Sequence, residues 1–267
     1  MGTVIRNIGC HLELTLSGPS ELVFSVSAAR GLPLDAESLV VTASGQLVTP
    51  KEVLDDHGTR LHLVRAGAGP VVLDYAATID GVVPPTDVTD VDRLRYLRQS
   101  RYCEADSLTP TAAAEFAGLT GRALLESVAE WVYQRIAYVS GSSTGTDSAL
   151  DTLLARRGVC RDFAHLVIAL LRALGVPARL AAVYAPGLSP MEFHAVAEAL
   201  VDDQWWAVDA TRLAPRRSLV RVATGRDAAD TAFLSSFGDY VELNVLEVTA
   251  VVDDFVLDDQ STLTALW

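Results

Sequence analysis

The sequence predicts an α+β chain. A small antiparallel β-sandwich-like domain is expected over residues 1–90, and residues 91–267 are expected to form a domain in which a helix with a cysteine at its N-terminus packs on an antiparallel sheet. Three observations carry this. Up to about Asp90 the apolar residues alternate with period two, and Gly, Pro, Asp and Ser cluster between the short runs. From Arg122 to Leu174 the period is helical, and from Ala178 onward it returns to strands. Between the halves, Val82-Val-Pro-Pro-Thr86 reads as a linker, because two prolines deny donors to any ladder.

Taken in order, Leu12, Leu14 and Leu16, then Leu22, Phe24 and Val26, then Leu61 and Leu63, then Val71, Leu73 and Tyr75 mark strands. SGPS, RGLP, DDHG and AGAGP supply the turns. His11, His57 and His62 fall in this half without a catalytic constellation around them. Arg122 to Tyr138 places Leu124, Leu125, Val128, Trp131, Val132 and Ile136 at helical spacing, and Asp147 is placed to cap a helix running through Leu154. Phe163, Leu166, Val167, Leu170, Leu171 and Leu174 then give a broad apolar surface closed by Gly175 and Pro177, which predicts a buried helix. Strands at Ala178 to Tyr184, Phe193 to Val201, Trp205 to Thr211 and Tyr240 to Phe255 complete the second domain.

Composition narrows the partners. Among 267 residues, 21 Lys and Arg stand against 34 Asp and Glu, a formal charge of -13 that repels phosphate backbones, so no nucleic acid is expected. No segment has the roughly 18 uninterrupted apolar residues of a membrane span, and MGTVIRNIGCHLELTLSG lacks an apolar core before a cleavage site. The expectation is a cytoplasmic chain without a membrane partner. Cys10, Cys103 and Cys160 are odd in number, far apart and outside any CxxC spacing, which argues against a disulfide framework or a zinc knuckle.

The chemistry centres on RGVCRDFAH. A free cysteine is most often a small buried hydrophobe, but Cys160 heads an apolar helix, where unpaired backbone N–H groups favour an anion. Gly158 allows a tight backbone turn and leaves space above the sulfur for a substrate. In EFHAVAEALVDDQWWAVDAT, two strands joined by Asp202-Asp203 set Val201 opposite Gln204 and Val196 opposite Asp209. His194 is then a same-face diagonal neighbour of Asp209. Cys160 as nucleophile, His194 as base and then acid, and Asp209 as the group that orients the imidazole form a catalytic triad. Read singly, His194 could be a buried strand histidine and Asp209 a strand-end turn former.

RGVCRDFAHLVIALLRALGVPARLAAVY followed by FHAVAEALVDDQWWAVDAT resembles the core of the bacterial transglutaminase-like superfamily of papain-like thiol enzymes. SRYCEADSL and GRDAADTAF resemble further parts of its bacterial members. The resemblance covers most of residues 95–235 closely and the first 90 in style only. It implies the cysteine at the tip of a helix packed on an antiparallel sheet, and acyl transfer through a thioester on Cys160, His194 and Asp209. Its members divide by whether water or an amine resolves the thioester. DATR at 209–212 departs from the Pro and Asn that follow the Asp in many relatives, which puts the next turn in question.

Hydrolysis of a peptide, protein or amide is the expected reaction, since no DxDxDG calcium loop is present. The alternatives are a protein-glutamine amine acyltransferase and a non-catalytic binding module that keeps the fold. A metal site on Cys160, His194 and Asp209 lacks CxxC or HExxH spacing, and no cofactor is expected. The Cys160 N–H is one oxyanion donor, and Tyr138 or a group in Ser140 to Thr144 could be the second. Gly141 to Gly145 reads as a plain loop. Packing is expected of His165 and helix capping of Asp162, while Asp227 and Asp230 have no partner nameable from sequence.

Overall fold

The computed structural model describes residues 4–83, 87–258, 260 and 262–266; the linker residues Pro84, Pro85 and Thr86 lie outside the described set. The chain opens on strands β1 (Ile5–Leu16), β2 (Ser20–Phe24), β3 (Leu34–Ala43), β4 (Gln46–Val48), β5 (Lys51–Leu54), β6 (Arg60–Ala66) and β7 (Gly69–Asp80). Helices α1 (Asp90–Arg95), α2 (Ala105–Phe116) and α3 (Gly121–Arg135) follow, then β8 (Ala137–Tyr138), α4 (Ala149–Ala155), β9 (Arg157–Gly158) and α5 (Cys160–Ala173). Strands β10 (Ala178–Tyr184), β11 (His194–Val201), β12 (Gln204–Val208), β13 (Val220–Gly225), β14 (Leu234–Gly238) and β15 (Val241–Val252) end the order.

Period-two alternation in β1 buries Ile8, Cys10, Leu12, Leu14 and Leu16 against Leu22, Phe24 and Val64 of the facing sheet. The two sheets run β15-β1-β7-β3-β4 and β14-β2-β6-β5. The final strands therefore correct the expected division at residue 90. β15 pairs with β1 from Arg6↔Val252 to Leu16↔Val241 and β14 pairs with β2, so residues 234–252 finish the sandwich and do not extend the second sheet. The alternating pattern that buries Val248 and Ala250 suits the free edge of either sheet, and only the folded chain selects one.

The second unit is a four-stranded antiparallel sheet, β12-β11-β10-β13, with α5 packed against β10 and β11. Helices α2, α3 and α4 cover α5 from the other side, which is why residues 162–172 of α5 are all buried. Two helix boundaries differ from expectation. Ile136 is extended (φ -112, ψ 125), so α3 stops at Arg135 and Tyr138 lies on a strand. The cap of α4 is Ser148, whose Oγ accepts from the Asp151 N–H at 3.3 Å, while Asp147 accepts from the Thr144 N–H at 2.9 Å.

Where the sheet meets the sandwich, Glu198 and Arg179 are buried beside the half-buried Arg221. Glu198 accepts from Arg179 at 2.8 Å and from Arg221 at 2.6 Å, and the Arg179 guanidinium lies 3.9 Å from the centre of the Trp205 ring. Burial alone would raise the Glu198 carboxyl, but the two arginines outweigh it and hold it at about 2. His57, from the sandwich, accepts through Nδ1 from Arg179 at 3.3 Å. Among the described residues no helix is long and apolar enough to cross a membrane.

Candidate active site

Cys160 is the first residue of α5 and is half-buried. Val159 before it is extended (φ -112, ψ -179), and its N–H donates to Asp162 Oδ2 at 2.8 Å, so Asp162 caps the helix as expected. Asp162 Oδ1 accepts from Arg161 at 3.0 Å. Gly158 has a different use from the one expected. A Cβ there would stand 2.7 Å from Asp162 Cβ and 2.8 Å from Oδ2, so the space that the glycine leaves is taken by the cap rather than lying open above the sulfur. Cys10 and Cys103 are buried free thiols. Burial pushes Cys10 up to about 12 and raises Cys103 as well.

The β11–β12 hairpin has the register that the sequence predicts. Val201 faces Gln204 and Ala197 faces Val208, with Asp202 (φ 51) and Asp203 (φ 60) as the left-handed pair of a tight turn. This brings His194 and Asp209 together. His194 Nε2 donates to Asp209 Oδ2 at 2.9 Å, and both residues are 2% exposed. The remaining ring nitrogen, Nδ1, is buried without a hydrogen-bond partner among the described residues, and Cys160 acts on the ring electrostatically. Burial works against a charged imidazole here. The Asp209 charge and hydrogen bond, aided by Cys160, outweigh it and raise His194 to about 10. Asp209 is lowered for the reciprocal reason: burial opposes its charge, but His194 and Thr211 favour it.

Tyr138 reaches the same place by a different route. β8 lies parallel to β9, with the Val139 N–H donating to the Gly158 carbonyl at 3.0 Å. Tyr138 stands beside Cys160, and burial together with Cys160 and Glu192 pushes the phenol up to about 12. The adjoining loop is tied to the helix tip, because Arg161 donates to Ser143 Oγ at 2.7 Å and to the Thr144 carbonyl. A thiol, an imidazole and a carboxylate in one chain of contacts can move a proton off sulfur and hold the resulting imidazolium.

Other singled-out residues assemble behind the site. His165 is fully buried, stacks on Tyr102 at 5.3 Å and accepts through Nε2 from the Ala228 N–H at 3.1 Å. Burial pushes it down to about 3 and keeps it neutral. Asp227 accepts from the Tyr102 N–H at 2.9 Å, and Asp230 pairs with Arg226 at 2.9 Å. Arg172 donates to Ser100 Oγ, the Ala178 carbonyl and the Arg226 carbonyl. SRYCEADSL, RDFAH and GRDAADTAF are thus one packing unit. A groove of about 760 Å³ runs between α3, the end of β12 and Gln260, Thr262 and Leu263; it touches Asp209 but neither Cys160 nor His194.

The transglutaminase-like superfamily model matches residues 111–210, a span that contains Cys160, His194 and Asp209. A solved structure from Cytophaga hutchinsonii, described as that of a candidate cysteine protease, is 33% identical and superposes with a TM-score of 0.87 over 100% of this chain and 94% of its own. The chain belongs to the transglutaminase-like superfamily. The chain is also similar to an uncharacterized protein of Mycobacterium leprae, 30% identical over 144 residues (49% of this chain, 50% of that protein). One from Mycobacterium tuberculosis is 37% identical over 123 residues (40% of this chain, 39% of that protein). The chain spans half the length, or less, of these mycobacterial relatives. Thr211 joins the site of this transglutaminase-like chain without a chemical signal of its own in the sequence beyond the turn signature of a threonine two residues after an aspartate. Its hydroxyl and amide both meet Asp209. Among the described residues no group of three or more His, Cys, Asp and Glu could hold a metal ion.

Proposed function

We propose that this transglutaminase-like chain is a thiol hydrolase of peptide or amide bonds. The buried 2.9 Å His194–Asp209 hydrogen bond, with the other ring nitrogen left for Cys160, carries the reading. Cys160 attacks the carbonyl carbon, and His194 takes the thiol proton and gives it to the leaving amine. Asp209 holds the tautomer and stabilises the imidazolium. The thioester is then resolved by water that loses its proton to His194, which releases a free acid and restores the thiol. The Cys160 N–H and the Tyr138 hydroxyl are the oxyanion donors. The Cytophaga hutchinsonii relative supports hydrolysis over amine transfer. A cytoplasmic setting and a peptide, protein or amide substrate belong to the same proposal.

The test is mass-spectrometric trapping of an acyl group on Cys160 from a peptide and amide library, with Cys160→Ala as the blank. The expected outcome is a Cys160 adduct, a free acid product and no turnover in the blank. Incorporation of an added primary amine in place of acid would support amine transfer. Undiminished turnover in the blank would remove Cys160 from the mechanism.

A further inference from the structure

We infer that Thr211 is a positioning residue that fixes the plane of the Asp209 carboxylate, so that only Oδ2 is left to meet His194; this rests on the triad proposed above. The turn after β12 is built around Asp209. Its Oδ1 accepts from the Thr211 hydroxyl at 2.7 Å and from the Thr211 N–H at 2.9 Å, while Oδ2 accepts from His194 at 2.9 Å. Thr211 is 6% exposed, so its hydroxyl and amide meet the carboxylate in a largely buried setting. A carboxylate held at one oxygen alone can rotate about its χ2 bond, whereas one held at both presents a fixed lone pair to the ring.

The turn is itself anchored. Arg212 adopts the left-handed conformation (φ 57), pairs with Glu130 of α3, and lies 4.2 Å from the centre of the Tyr133 ring. The departure DATR therefore has a definite role here: the hydroxyl two residues after the aspartate closes the turn onto the carboxylate itself. The charged or titratable groups that face the pair are Cys160 from the tip of α5 on the His194 side, and Tyr138 beside it. Arg212 and Glu130 stand beyond the turn and are paired with each other.

The experiment reads the pH dependence of Cys160 alkylation by iodoacetamide, followed by peptide mass, in the full chain and in Thr211→Val, Thr211→Ser and Asp209→Asn. Thr211→Val is expected to slow alkylation about tenfold at mildly acidic pH, the low end of what one hydrogen bond to a charged group is worth. It should also move the half-maximal rate to higher pH. Thr211→Ser, which keeps the hydroxyl, is expected to match the parent in both, and this arm stands even if the valine variant does not fold. Equal rates and equal midpoints in the parent and in folded Thr211→Val would overturn the inference, as would a tenfold loss in Thr211→Ser. A parent whose Cys160 reacts no faster than Cys10 and Cys103, and does not respond to His194→Ala, would instead overturn the triad beneath it.

Discussion

The Val159 N–H donates to Asp162, and removing that carboxylate leaves a half-buried donor without this acceptor at the turn that presents Cys160. Asp162→Ala is expected to cost about 1–2 kcal/mol, read as a lower denaturant midpoint at unchanged slope; an unchanged midpoint would mean that the helix tip is held without the cap. The His194–Asp209 pair makes a second prediction at this scale. His194 is raised to about 10 from its ordinary 6.5, so its contribution to stability is complete below 6.5 and fades as pH climbs through about 10. Asp209 is lowered from 3.8, so its contribution is complete above 3.8 and fades as pH falls through its folded value. The stability difference between the parent and Asp209→Asn should therefore be largest between pH 3.8 and 6.5 and narrow toward pH 10. Unfolding midpoints measured across that range decide it, and a difference that stays level to pH 10 would show that the imidazole is neutral in the fold. The identities of Cys160, His194 and Asp209 were legible because a helix start and a strand pairing are local patterns. Thr211 was not, because only the folded turn reveals where its hydroxyl points.

Helix α5 and the β11–β12 hairpin are the elements that the sequence specifies most fully, and both draw on short-range rules. The hairpin has a two-residue loop whose register fixes every facing pair, and the helix has a broad apolar surface that must be buried. Ile168→Ala, at a position with no exposure, is expected to destabilise by about 2–5 kcal/mol, measurable by denaturant unfolding. A loss under about 1 kcal/mol would place that helix face at the surface. Strands β8 and β15 were harder. Tyr138 continues a helical apolar pattern in sequence, yet Ile136 turns extended so that residues 137–138 can pair with residues 157–158. β15 carries an alternation that any open sheet edge would accept, and its partner, β1, lies more than two hundred residues earlier in the chain.

That long-range pairing makes the sandwich a structure of both chain ends. A protease site inserted after Val83 and cleaved in the folded protein is expected to give two fragments that elute together and separate only in denaturant, since β14 and β15 remain paired with β2 and β1. A C-terminal fragment that elutes alone in native buffer would show that those ladders are dispensable. The buried junction offers a second measure of unity. Glu198→Gln leaves Arg179 and Arg221 without their anion and is expected to cost about 3–5 kcal/mol, with unfolding still a single transition if the two units melt as one. The net acidity of the chain bears on partners and is silent about this internal pairing, which explains why the junction could not be read from composition.

Helix α3 has a geometric role that follows from its two attachments. Its Glu130 and Tyr133 grip Arg212 in the turn after Asp209, and its C-terminal end leads directly into Tyr138 beside Cys160. One rigid rod is thus gauged against both flanks of the proposed triad. Adding a single residue to the helical stretch between Tyr133 and Arg135 would advance the rod by about 1.5 Å and rotate one grip against the other by about 100°. The length of this segment is therefore a tolerance on the site.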